Sequence, residues 1–122
     1  MLVVYDSRHR LHSDPQGRHP ESPSRAVKVL ESLTKSEFFN QLNFTRTRDP
    51  ELDVLLLIHD AGYVEFIRME SSKGFHYLDP DTYVTEYTYT LSASYVTATY
   101  HEALKSLESR EPVLVIPRPG GH

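Results

Sequence analysis

The apolar positions divide the chain into β-like runs and helical stripes, separated by polar stretches rich in proline. Leu2-Val3-Val4-Tyr5 is a short β-rich run before Asp6 and predicts a buried strand. Ala26, Val27, Leu30 and Leu33 recur at helical spacing and predict a helix over 23–34 packed on a sheet. Ser22-Pro23 marks its start: a capping oxygen precedes a proline at the first helical position, where the missing N–H costs nothing. Leu42-Asn43-Phe44-Thr45 alternates and fits a short strand. Asp49-Pro50 repeats the cap-plus-proline signal and opens a helix with Leu52, Leu55, Leu56 and His59 on one side. Asp60 would cap a further helix carrying Tyr63, Phe66 and Ile67, and 71–82 reads as loop.

The longest helical stretch runs from about Thr88 to Ser109, with Leu91, Ser94, Tyr95, Ala98, Glu102, Ala103 and Leu107 spaced for one face. Small residues on that face would let a sheet approach closely. Threonines and tyrosines crowd 83–90, so the helix start is ambiguous with strand. Pro112-Val113-Leu114-Val115-Ile116-Pro117 is apolar throughout and predicts a central parallel strand, since a strand covered on both faces loses its alternation. Strands separated by helices give an α/β layered fold. In such sheets the residues just past a strand's C-terminal end line the binding crevice. Residues 118–122 occupy that place, which nominates His122.

Composition narrows the classes. A chain of 122 residues holds at most one domain. Its 39% apolar and 25% charged content fits a globular protein. The net charge of −4 and the lack of a basic stripe speak against a nucleic-acid partner. No run approaches the ~18 apolar residues of a membrane span. The N-terminus has no positively charged region of the signal-peptide kind. Cysteine is absent, which rules out disulfides and thiolate metal ligands and fits a cytoplasmic location.

Several side chains invite chemistry. His9, His12 and His19 lie in the polar stretch 7–22 with two prolines, one glycine and three arginines. They could share a metal, but the surroundings favour solvated loop. His59 closes an apolar run and is expected to be a structural histidine bonded to a backbone carbonyl. Asp79-Pro80-Asp81-Thr82 could gather a cation, although the same residues build turns and helix caps. His122 follows glycines that allow close backbone approach, and an imidazole there suits proton transfer.

Four segments, taken in order, resemble the histone deacetylase superfamily, including acetylpolyamine amidohydrolases and acetoin-utilisation-type proteins. They are His19-Pro20-Glu21-Ser22-Pro23-Ser24-Arg25, Ile58-His59-Asp60-Ala61-Gly62-Tyr63, Tyr77-Leu78-Asp79-Pro80-Asp81-Thr82 and Arg118-Pro119-Gly120-Gly121-His122. The resemblance implies a three-layer, arginase-like α/β fold whose parallel sheet lies between helices, present here as an incomplete, N-terminal portion. It also implies a zinc-dependent amidohydrolase that removes acetyl groups from an acetylated amine. In that family zinc polarises the carbonyl and activates a water, a histidine pair handles the proton, and a tyrosine stabilises the oxyanion.

The family loop reads Arg-Pro-Pro-Gly-His-His; here Gly120 replaces the second proline, and His122 matches the first histidine as the catalytic residue. Arg25 matches an arginine lining the family's internal channel, and Gly121 joins it as a binding residue. Leu78 stands where some members carry a substrate-gripping aspartate. The family's zinc ligands and catalytic tyrosine have no counterpart in this sequence, so no metal ligand is assigned and the chain alone is expected to be inactive. The expected partners are another copy of the chain or a complementary C-terminal chain, with a small acetylated substrate. A non-catalytic oligomerising module that keeps the scaffold is the competing expectation.

Overall fold

The computed structural model describes residues 1–120. In chain order the elements are β1 (Leu2–Val4), α1 (Pro23–Thr34), β2 (Asn43–Thr45), α2 (Leu52–Leu55), α3 (Ala61–Ser72), β3 (His76–Asp79), β4 (Thr82–Val84), α4 (Thr88–Ser109) and β5 (Val113–Val115). Short 3₁₀ segments, Ser7–Leu11 and Phe39–Gln41, precede α1 and β2 respectively.

β1, β2 and β5 form one parallel sheet in the order β2-β1-β5, with Val3 opposite both Phe44 and Leu114. Val3 clusters with Ala26 of α1 and with Ile116, while Leu33 and Leu42 close the edge of that cluster. Val4 must point to the opposite face, because successive side chains alternate. Both valines are fully buried, so β1 is covered on both sides. A second cluster joins Leu55 of α2, Val64 of α3 and Ala93 of α4. Of the face that the spacing predicts for α4, Leu91, Ser94, Tyr95, Ala98 and Glu102 are buried, whereas Ala103 and Leu107 near its C-terminal end are exposed; Ala93 and Thr97, outside that set, are buried as well. Two polar links fix α4 in place. The Tyr95 hydroxyl accepts the Asp6 N–H at 3.0 Å, and the Thr97 hydroxyl accepts the Glu51 N–H at 3.0 Å.

The α/β architecture, a parallel sheet flanked by helices, agrees with the sequence, and α1 and α4 take the expected bounds. Other expectations change. The hydrophobic run of β5 predicts a central strand, yet among the described residues β1 is central and β5 is the half-buried edge. An all-apolar run only requires that both faces can be covered; it does not say by what. The helix expected from Asp49-Pro50 is a single turn, α2, capped at Glu51, and Leu57 and Ile58 beyond it are 62% and 88% exposed. Ser22 does occupy the cap position of α1, but its hydroxyl pairs with that of Ser24 at 2.7 Å and leaves the helix amides alone.

The stretch 71–82 is not simply loop. It contains β3 and leads into β4, an antiparallel hairpin closed by Pro80 and Asp81. The turn reading of Asp79 holds within it, since Oδ1 accepts the Asp81 N–H at 2.8 Å. Among the described residues, no helix is long and apolar enough to cross a membrane.

Candidate functional site

The site begins where β1 ends. Asp6 Oδ1 accepts the Arg8 N–H at 2.9 Å and caps the 3₁₀ segment, while Arg8 Nε and the Thr47 hydroxyl also bind its carboxylate. Burial alone would raise this carboxyl, but hydrogen bonds from Arg8 and Thr47 outweigh it and hold the group at about 2. Past this cap the chain carries His9 and His12 inward, and both are essentially fully buried. The sequence reading of solvated loop is therefore corrected: a proline-rich polar stretch still buries side chains when their polar atoms find partners.

His9 Nε2 lies 3.1 Å from the Tyr5 hydroxyl, and its buried Nδ1 has no hydrogen-bond partner among the described residues. Burial, reinforced by the nearby Arg118 charge, pushes its pKa down. His12 stacks on Tyr83 with ring centroids 4.5 Å apart, and its Nδ1 lies 2.9 Å from Thr88 Oγ1. Its Nε2 is 3.6 Å from Glu21 Oε2. That carboxylate favours a proton on His12, yet burial dominates and pushes the imidazole down to about 4. At neutral pH the His12 ring in this contact is therefore neutral.

Arg118 ties these parts together from within. It follows β5, and its Nε and Nη2 donate to the two Glu21 carboxylate oxygens at 2.9 and 2.7 Å. Nη1 donates to the carbonyls of His9 (2.7 Å) and His12, and Nη2 also reaches the Tyr83 hydroxyl at 3.1 Å. Tyr83 in turn donates to the Glu21 carbonyl at 3.0 Å. Burial, helped by the Glu21 charge, pushes this phenol up to about 12, so it remains a hydroxyl. The Gly120 N–H completes the set by donating to Glu21 Oε1 at 3.3 Å.

A cavity of about 540 Å³ opens beside this network, bounded by His12, Glu21 and Tyr83, by His59 and Phe66, and by Pro119 and Gly120. Apolar and aromatic walls with a few convergent polar groups are the composition of a small-molecule pocket. His19 stands on its rim. Its Nδ1 accepts the Glu21 N–H at 3.1 Å, so the ring proton sits on Nε2 and is donated to the Asp81 carbonyl at 2.9 Å. Among the described residues, no group of three His, Cys, Asp or Glu side chains could hold a metal ion. The three early histidines are spent on separate partners, and they do not fit a zinc site.

The expected site residues fall as follows. Arg25 is exposed on α1, and a Cβ built on Gly120 would lie 3.5 Å from its Nη1, so it flanks the last loop. Gly121 and His122 lie outside the described residues. His59 corrects its expectation: it is exposed, lines the cavity and sits 5.4 Å ring-to-ring from Tyr63. The sequence reading missed Glu21, Tyr83 and the buried role of Arg118. The one usable signal was that Glu21 and Arg118 each sit inside a motif beside proline.

The histone deacetylase domain matches residues 19–122, which takes in the His-Pro-Glu segment, the hairpin and the loop after β5. The chain belongs to the histone deacetylase family. An uncharacterised protein of Methanocaldococcus jannaschii is 30% identical over 108 residues, covering 88% of this chain and 31% of that protein. A probable deacetylase of Methanothermobacter thermautotrophicus is 26% identical over 125 residues, covering 100% of this chain and 35% of that protein. The crystal structure of the HDA15 HD domain superposes with a TM-score of 0.89 at 24% identity, over 100% of this chain and 37% of its own, a likeness in fold. The chain thus spans about a third of the length of the relatives it matches, 31% and 35%. It is part of a deacetylase-like domain.

Proposed function

We propose that the chain forms one wall of a zinc-dependent amidohydrolase site that removes acetyl groups from an acetylated amine, and that it is inactive by itself. The observation that supports this reading is the cavity of about 540 Å³ whose lining includes Pro119 and Gly120, the latter two residues before His122 in the sequence. On this reading His122 is the catalytic proton carrier, and Arg25 and Gly121 belong to the binding surface around it. An imidazole in that role takes a proton from an attacking water and returns it to the leaving amine. Zinc, bound elsewhere in the complete enzyme, would supply Lewis acidity; the described residues of this chain do not fit it. A complementary C-terminal chain or segment would bring the metal ligands. The experiment is co-expression with such a partner, followed by assay of acetate release from small acetylated amines. Release that stops on chelation supports the reading, and no release from a properly assembled pair ends it.

The non-catalytic module draws on a different observation. Ile58 and Leu57 are 88% and 62% exposed, and β5 is an edge strand among the described residues, which together favour association of copies. That reading requires a stable oligomer that gains no activity from any partner.

A further inference from the structure

We infer that Glu21 is a positioning residue for the segment that leads to His122: its carboxylate grips Arg118 and the Gly120 amide together, and so sets how that segment meets the cavity. The inference rests on the active-site reading above, in which His122 handles a proton.

Glu21 Oε1 accepts from both Arg118 Nε (2.9 Å) and the Gly120 N–H (3.3 Å). Oε2 accepts from Arg118 Nη2 (2.7 Å) and the Tyr83 hydroxyl (3.2 Å). One carboxylate therefore holds the side chain and the backbone of the same short segment. The two parallel bonds to the guanidinium fix its plane as well as its distance, which an ammonium group could not reproduce. Pro117 and Pro119 carry no N–H, so few amides in this segment can anchor it, and that of Gly120 goes to Glu21.

Glu21 is itself held. Its N–H donates to His19 Nδ1 at 3.1 Å, and its carbonyl accepts from the Tyr83 hydroxyl at 3.0 Å. The anchor is thus fixed to the His-Pro-Glu segment and to β4 before it touches the segment after β5. Neutralising Arg118 would need the charge alone; the bond to the Gly120 amide is what a positioning role adds.

The test uses the purified native protein, with whatever partner it carries, and compares it with Glu21→Gln. Hydrogen exchange at the Gly120 amide should quicken at least about tenfold while exchange in β1 is unchanged. In protein that turns over, kcat should fall about 10- to 100-fold with KM within about threefold, the pattern of a misplaced catalytic group. Unchanged Gly120 exchange, uniform acceleration throughout the fold, or faster exchange with unchanged kcat would each overturn the inference. Where Glu21→Gln does not fold, Tyr83→Phe decides: exchange at Gly120 about threefold faster supports the role, and no change refutes it. Absence of amide hydrolysis in the wild type sinks the active-site reading, while the exchange measurement still decides whether Glu21 holds the segment.

Discussion

Glu21 and Arg118 stand 97 positions apart and meet through paired hydrogen bonds of 2.9 and 2.7 Å. Around this pair gather the carbonyls of His9 and His12 and the hydroxyl of Tyr83, so a single buried guanidinium closes the joint between the first loop, the hairpin and the last strand.

Replacing Arg118 should therefore be costly. Arg118→Met keeps most of the apolar stem but strands a carboxylate and two carbonyls away from water. Breaking one side of a buried pair costs about 3–5 kcal/mol. Equilibrium denaturation of the variant should show a loss of that order, and a loss under about 1 kcal/mol would mean that Arg118 is not buried as described.

Acid should weaken the fold through His12 and His9. Both imidazoles titrate below their ordinary value in the folded chain because burial disfavours the charged ring, and His12 does so at about 4. The unfolded chain then binds the proton first. Stability from these groups is complete above pH ~6.5 and declines as pH falls toward about 4, where folded His12 also protonates. For His12 the loss is on the order of 3 kcal/mol. Denaturation midpoints measured from pH 7.5 to 4.5 should fall steadily, and His12→Gln should flatten the slope. A flat profile in the unaltered chain would contradict the burial.

Little of this joint could be read in advance. Helices α1 and α4 were legible because their apolar positions repeat at helical spacing over three or more turns, a signal that survives without tertiary context. The hairpin was not, because His76-Tyr77-Leu78-Asp79 mixes polar and apolar residues, and its pairing with β4 supplies what the pattern lacks. His9 and His12 looked solvated for the same reason. Their burial depends on Arg118 and Thr88, partners brought in by the fold and silent in the local sequence, and for His9 also on the nearby Tyr5. The motif segments located the cavity wall, but the pairing of Glu21 with Arg118 is a long-range fact that spacing cannot carry.

Arg110 ends α4 with φ 59°, a left-handed conformation that costs an ordinary residue about 1 kcal/mol. Arg110→Gly should raise stability by up to about 1 kcal/mol, read as a higher melting temperature. A lower melting temperature would show that the arginine side chain does more there than cap.

The exposed pair Leu57 and Ile58 should drive association. Burying one such side chain is worth about 1.5–3 kcal/mol, so Leu57→Lys with Ile58→Lys should weaken self-association at least about tenfold. Sedimentation equilibrium of both forms tests this; a wild-type chain that stays monomeric at every concentration would remove the expectation.

The central proposition is that this chain brings a proton-handling histidine to a deacetylase-like site and leaves the metal to another part. Calorimetric titration of the purified chain with Zn²⁺, alongside an amide-cleavage assay, measures that proposition most directly. The expected result is no stoichiometric tight uptake and no cleavage by the chain alone. One tightly bound zinc per chain, with cleavage that a chelator abolishes, would contradict it.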